Sequence, residues 1–588
     1  MVVLVRRYLA IFCAGLLLVL GLSACSPNQL RNPTAQVSQI IESQLGDPGT
    51  FNYALNNSSP NVFGYTYEGL ITEDGLTSEI EPAIAESWEV SDDKKSLTFT
   101  LKDNLKWSDG EPLTVDDVVF TYNSIYLNPE IQTDIQDILR IGKERKLPKV
   151  EKVGPKQVKF TTPEPFAPFL RTMSLGIMPQ HALAKTITEK DRDGKPLFLS
   201  TWSTNDDPKS VITNGMYTLE EYVSGQRVTF RRNPNYWRQD AEGKKQPYVE
   251  RLVWKLVDNR DTTLIKFRSG ESDIIEPLRP EDFPLLKNEE KRGKFKVYMG
   301  EARPVTTFMS FNLNQGKRDG KPVVDPIKSK WFNNTAFRQA VAYAIDRNKM
   351  NTNSYRGLGV LINSFISTRS PYSLSPEQGL KVYDYDPEKA KKLLTDAGFK
   401  YNGSQLEDSA GNPVEFTLMT NSSNTLRVSL IAQIKQDLAD IGIKVNLNPI
   451  NFNTLIEKIG NTYDWQAYLL AFGSGPEPHY LSHVWQPDGA SHGFNQRAEG
   501  GTKMLEGQQV SDWEKEMGRL YTQGATELDD AKRREIYGKV QQIGQEQLPW
   551  IPLVVERIMA VGRNKVEGVR YPESGGITWN IHELRVAE

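Results

Sequence analysis

Cysteine is almost absent, with two in 588 residues. Two cysteines cannot build a disulfide-rich scaffold or a cysteine-based zinc site. Histidine is scarce as well, at five. No sign of charge dominates, because 71 Lys and Arg stand against 74 Asp and Glu, a net charge of −3. A chain this balanced has no overall electrostatic reason to seek nucleic acid, and it carries no long basic run. Beyond the first 25 residues no apolar stretch approaches the ~20 residues that span a bilayer. Signatures of catalysis are missing too: there is no G-x-S-x-G elbow, Walker A loop, H-E-x-x-H or G-x-G-x-x-G. A nucleophile with a positioned base is therefore not legible, and the reading is a binding protein without cofactor.

What remains is ordinary globular composition, 38% apolar and 25% charged. The length exceeds one hydrophobic core, so two or more domains are expected. The N-terminus is the exception in character. Arg6 and Arg7 precede an apolar run from Leu9 to Leu22, followed by Ser23, Ala24 and Cys25. Small residues before a cysteine at the end of such a run resemble a bacterial lipobox. Residues 1–24 are then a lipoprotein signal peptide, Cys25 is lipidated, and 25–35, polar with two prolines, is a tether. The expected location is outside the inner membrane, at a periplasmic or cell-surface face, held by lipid alone.

Strand patterns fall at Val37–Ser43, Ser96–Leu101, Leu105–Trp107, Val228–Arg231, Arg251–Val257 and Lys444–Leu447. Helical spacing marks 61–70, 262–268, 334–351, 387–397 and 426–441. Thr114 reads as an N-cap with Asp116 and Asp117 behind it, and Asp386 caps a helix that opens on Pro387 and leaves at Gly398. Strands alternating with helices, without a long gap, indicate a mixed α/β protein of several lobes.

Five blocks then match one family in order. They are AESWEVSDD running into SLTFTLKDNLKWSDGEPLTVDDVVFTY from Ala85, NGMY (214–217) with RNPNYW (232–237), FRQA (337–340) with AIDR (344–347), YDP (385–387) with AKKLL (390–394), and Tyr537 with PWIPL (549–553). The chain thereby resembles the family 5 extracellular solute-binding proteins, the dipeptide- and oligopeptide-binding components of bacterial ABC importers. The resemblance implies an α/β, two-lobed clamp of the periplasmic-binding-protein type (type II, cluster C like), with a subdomain inserted in lobe I. It places lobe I at 36–75, 205–300 and 530–588, the insert at 76–204, and lobe II at 301–529. It also implies an ABC permease and its ATPase subunits as partners, a monomer that closes on its solute, and an oligopeptide as that solute. An oligosaccharide or a nickel chelate is the alternative.

In peptide-binding relatives an aspartate in a loop after a lobe II strand takes the peptide's ammonium. Here that stretch reads YLLAFGSGPEPHY (468–480), with Ser474 and Gly475 at the acid's place and Glu477 displaced by a few residues. By resemblance the ligand-binding set is Phe452, Trp465, Phe472, Ser474, Glu477, Tyr480, Phe494 and Asn495 on lobe II. Phe51, Asn52 and Tyr53 line the opposite wall. Tyr65 and Glu68 are read as anchors of the helix that carries them. His479 and His483 at i and i+4, with His492 nearby, permit a metal on spacing alone, but Pro476 and Pro478 argue against a regular helix there, and no metal is assigned.

Overall fold

The structure is a computed structural model that describes residues 37–56, 60–131, 133–473, 475–498, 500–501, 503–571 and 576–587. Cys25, the signal segment and the tether lie outside the described residues, as does Ser474. Residues 39–588 form one compact unit, and the fold below is that unit's.

The chain enters at β1 (Gln39–Leu45) and then builds a separate four-stranded sheet from β2 (Ala85–Val90), β3 (Ser96–Leu101), β4 (Lys149–Lys152) and β5 (Gln157–Thr161), in the order β2-β3-β5-β4. It returns beside β1 through β6 (Tyr217–Val223), β7 (Arg227–Arg232) and β8 (Arg251–Val257). Helix α1 (Arg260–Ser269) leads to β9 (Ile274–Ile275) and β10 (Phe295–Ala302). Two residues later β11 (Val305–Phe311) opens a second large sheet. β12 (Gly359–Leu361) pairs back with the first sheet, and to the second come β13 (Glu415–Asn421), α2 (Thr425–Ala439), β14 (Lys444–Ile450) and β15 (Ala467–Gly473). Helix α3 (Asp530–Gln547), β16 (Ile551–Pro552) and β17 (Val554–Arg563) close the path. The first sheet is ordered β10-β17-β9-β1-β8-β7-β6 and the second β14-β13-β15-β11-β16.

Local chemistry explains most boundaries. Thr114 and Asp117 form a capping box at the helix Val115–Phe120, and Asp386 caps Pro387–Asp396. Gly270 ends α1 at φ +87°, a conformation that only glycine adopts without strain. Some expectations shift. The 334–351 helix is two helices, Thr335–Ala344 and Arg347–Tyr355, because Asp346 turns out of the first and caps the second. The 61–70 helix is one turn, Phe63–Thr66, and Leu105–Trp107 reduces to an isolated bridge between Lys106 and Pro112.

Two cores follow. One lies under the first and inserted sheets; the other holds the second sheet with Phe308 stacked at 3.6 Å on Trp550. The sequence reading groups 530–588 with the first lobe. In the structure Ile536, Tyr537 and Val540 of α3, with Leu548, Trp550 and Ile551, pack into the second core. Their apolar face fits the helices of that lobe, so only the chain from β17 onward returns to the first sheet.

Candidate functional site

Strand directions locate the site. β1 runs parallel to β8 and β9, and β17 is antiparallel to both β9 and β10. The carboxyl ends of β1, β8, β9 and β10 therefore share one edge. In the second sheet β13 is parallel to β14 and β15, and β11 is antiparallel to β15, so their carboxyl ends share an edge with the start of β11. The step from Ala302 to Val305 joins these two edges, and Pro552 to Val554 returns across the same place. Ligands in open α/β sheets bind outside the carboxyl ends of strands. Here two such edges face each other across a double crossing.

The crossing is hydrogen-bonded and charged. Arg303 N–H donates to Glu556 O at 3.0 Å, and Leu553 N–H to Thr307 O at 2.9 Å. The Arg303 guanidinium also pairs with the Glu556 carboxylate, which Arg260 approaches at 3.9 Å. Burial pushes the Glu556 carboxyl up, but Arg303 and Arg260 outweigh it and hold it below the ordinary range. Arg427, in the first turn of α2, donates to Asn421 Oδ1 at 2.9 Å. A cavity of about 340 Å³ opens against the crossing, walled by Thr306, Ser364, Ser367 and Ser370, with Arg303 its one charged lining residue.

The first lobe's edge adds two carboxyls. Glu42, 3% exposed on β1, accepts from Gln44 Nε2 at 3.1 Å. Glu276, just past β9, accepts the Ile577 N–H at 2.7 Å. Burial moves each from 4.5 up to about 7. Beside them Tyr65 donates to Thr578 Oγ1 at 3.1 Å. Tyr65 was read as a helix anchor; its helix is one turn, and the ring spans to the C-terminal segment instead. Glu68 lies beyond that turn and accepts instead from Tyr236 Oη and, at 2.7 Å, from Trp237 Nε1, both distant in sequence.

Contacts between the second lobe and the insert form a seam. His479 Nε2 meets Ile138 O at 3.1 Å and its ring lies edge-on to Phe166 at 4.9 Å. Ala490 N–H donates to Asp137 at 3.3 Å, Arg145 pairs with Asp488 at 3.4 Å, and Arg369 reaches Ser78 Oγ at 3.4 Å. A larger cavity of about 670 Å³ is bounded by Glu68, Arg238, Arg570 and Trp579, with no residue of the second sheet, so it is not the space between the lobes.

The residues expected to touch a solute divide sharply. Phe472 is half-buried at the end of β15, 5.5 Å from Trp550. Phe452, 39% exposed, starts a helix directly after β14. Tyr480 is half-buried at the seam, where burial and then the nearby Glu73 carboxylate push its hydroxyl pKa up. These three stand at the carboxyl edge or the seam. Others are structural. Phe51 is fully buried against Tyr222, and Tyr53 packs edge-on to Phe63. Asn52 caps the turn Tyr53–Leu55 and donates to Thr201 O at 3.1 Å. Trp465 is buried on Tyr468. Phe494 is enclosed by Trp485, His492 and Trp513, and Asn495 donates to Gln509 O and Glu514 at 2.8 Å each.

Glu477 requires the main correction. Its carboxylate accepts from Arg533 Nη2 at 2.8 Å, with both side chains 4% exposed, and it also caps the His479 N–H at 3.1 Å. A carboxylate already paired and buried is not open to a solute's ammonium. The histidines nearby are likewise engaged: burial pushes His479 down to about 3, and His492 bonds to Val484 O and Glu514. Among the described residues no group of three or more His, Cys, Asp or Glu is placed to hold a metal ion.

Sequence reasoning missed Glu42, Glu276, Arg260, Arg303, Arg427 and Glu556. The one available signal was Glu42, an acid within an otherwise strand-like QIIESQL run.

Two sheets with opposed carboxyl edges, linked by paired crossings, define a two-lobed binding clamp. A family model for bacterial extracellular solute-binding proteins, family 5, matches residues 79–492, and the chain belongs to that family, whose members bind solutes and do not catalyse. It is 28% identical over 541 residues to a probable ABC transporter-binding protein of Deinococcus radiodurans, covering 89% of this chain and 88% of the relative. It is 25% identical over 540 residues to the oligopeptide-binding protein AppA of Bacillus subtilis, covering 88% and 91%. The solved structure of MelB from Agrobacterium fabrum with stachyose superposes with a TM-score of 0.78 at 21% identity, over 94% of this chain and 85% of that one.

Proposed function

We propose that this chain is the lipid-anchored solute receptor of an ABC importer, that it captures oligopeptides between its lobes, and that it hands them to the permease. The observation that supports this reading is the pair of facing carboxyl edges, which a hinge at 302–305 and 552–554 brings together around a solute. The similarity to AppA, named for oligopeptide binding, favours peptides over other solutes. In this reading lobe I comprises 36–75, 205–302 and the chain from 554, the insert is 76–204, and lobe II is 303–553. Phe452, Phe472 and Tyr480 contact the solute from lobe II, and the protein works as a monomer.

A thermal-shift screen tests the solute class. A ligand that binds only the folded state adds RT ln(1 + [L]/Kd), about 2.7 kcal/mol at a hundredfold excess over Kd. Peptide mixtures should raise the melting temperature, and neutral oligosaccharides and nickel–histidine should leave it unchanged. A shift with stachyose-like sugars alone would replace the peptide reading.

Anchoring gives a separate expectation. Cys25→Ala should move the mature protein into the soluble fraction, because no helix among the described residues is long and apolar enough to cross a membrane and attachment would rest on acyl chains. Retention on membranes after a salt wash would exclude lipid as the anchor.

A further inference from the structure

We infer that the inserted subdomain is a latch: its segment 137–145 grips lobe II at His479, Asp488 and Ala490, and this seam sets how long a captured solute is held. The inference rests on the solute-receptor reading above and adds to it positioning residues outside the hinge.

The two sides of the seam belong to different bodies. Phe99 and Phe160 of the inserted sheet share one core with Ile40 and Leu252 of the first sheet, so the insert moves with lobe I. Leu139, Ile141 and Phe166 belong to that same core, whereas Leu481, Val484 and Trp485 pack into the core of the second sheet. A bond across the seam is therefore a bond between the jaws, and opening the clamp breaks it.

The lobe II side is shaped for this contact. Ala490 stands in a tight turn, where Gly489 N–H donates to Gln486 O at 2.9 Å and Ser491 N–H to His483 O at 3.1 Å. A side chain at Gly489 would stand 2.1 Å from the His483 carbonyl oxygen, so only glycine closes that turn. The Ala490 N–H points across the seam, and the Asp137 carboxylate accepts it at 3.3 Å. Asp137 also pairs with Arg145 at 3.0 Å, and Arg145 reaches on to Asp488 at 3.4 Å. Beside them His479 Nε2 lies 3.1 Å from Ile138 O; a carbonyl only accepts, so that nitrogen carries the proton. Ala167 N–H donates to Ala525 O at 2.8 Å between the same two bodies.

The seam releases as readily as it holds. Its polar groups regain water when they separate, so each bond contributes little net. The Arg145 and Asp488 side chains stay 22% and 39% exposed, which weakens their ion pair. His479 is buried, and its Nδ1 has no hydrogen-bond partner among the described residues, which offsets part of what Nε2 gains. A latch of this strength populates the closed form without fixing it. The apparent Kd is the intrinsic one divided by the fraction in the binding form, so the latch tightens every solute by the same factor.

The test uses the full mature chain, with a mixed tripeptide library as the probe. Asp137→Ala cuts the seam from the insert, His479→Ala cuts it from lobe II, and Asp488→Glu keeps the ion pair. Peptide release is timed by mass spectrometry after dilution, and the solute-free shape is read by small-angle scattering. Both alanine variants should speed release of every bound peptide about fivefold and leave the ranking of peptides unchanged. Without solute both should scatter as more open particles than the wild type, and Asp488→Glu should match the wild type in each measurement. Asp488→Asn, at a partly exposed position, repeats the test if an alanine variant folds poorly. Unchanged release or unchanged solute-free scattering overturns the latch. A changed ranking also overturns it, because these residues would then be solute contacts. If the wild type binds no tripeptide, the oligopeptide reading fails, and solute-free scattering alone decides the latch.

Discussion

Glu477→Gln is expected to destabilise the protein by about 3–5 kcal/mol, the usual cost of removing one partner from a buried ion pair. Arg533 is the reason. Its guanidinium donates to Glu477 and to Gly524 O at 2.8 Å, hydrogen-bonds Tyr372 Oη, and sits 4.4 Å over the Tyr372 ring. Glu477 holds that guanidinium well above its ordinary pKa despite burial, so the variant keeps a full charge without its counter-ion. The loss should appear as a lower denaturation midpoint at pH 7, with the choice between free and N-acetylated peptides unchanged. Adding Arg533→Met to the variant should recover part of the stability, since the buried guanidinium left without its counter-ion is then removed. A stable single variant that stops discriminating against acetylated peptides would instead make Glu477 the ammonium anchor.

Glu42→Gln should act in the opposite direction, and only at higher pH. Burial is the largest cause of its raised pKa, and the Glu276 charge adds to it. The folded carboxyl titrates at about 7, against roughly 4.3 in an unfolded chain. Between these values the folded protein holds a proton that the unfolded chain has released, so stability falls as pH rises and levels off above 7. The full penalty is about 3 kcal/mol at pH 8. Glutamine keeps the shape and the acceptor for Gln44 but never carries the charge. The variant should therefore be more stable than the wild type by about 2–3 kcal/mol at pH 8, and by only about 1 kcal/mol at pH 5. Denaturant titrations at both values decide the matter; a difference independent of pH would mean that Glu42 is not a buried titrating acid.

Both results concern residues that sequence reasoning handled unevenly. Glu477 was singled out for its position after β15, which is correct in sequence; its partner lies 56 residues away on α3, and no local pattern announces that. The aromatics failed for a related reason. Phe472 and Phe494 look alike in a list of side chains, yet one ends a strand at the open edge and the other is boxed in by Trp485, His492 and Trp513. Which face a ring presents depends on what packs against it.

What the sequence by itself determined is the local order and the family. Caps at Thr114 and Asp386, the glycine stop at Gly270, and alternation along β3, β7 and β8 come from interactions within a few residues, and they are readable there. The five ordered blocks carry the family in the same way. Tertiary structure alone decided the site. Arg260, Arg303 and Glu556 converge from segments spread over about half the chain because β10 and β17 pair and bring their ends to one hinge. Charges gathered by topology leave no spacing to read, because their separation in sequence is set by the lobes folded between them.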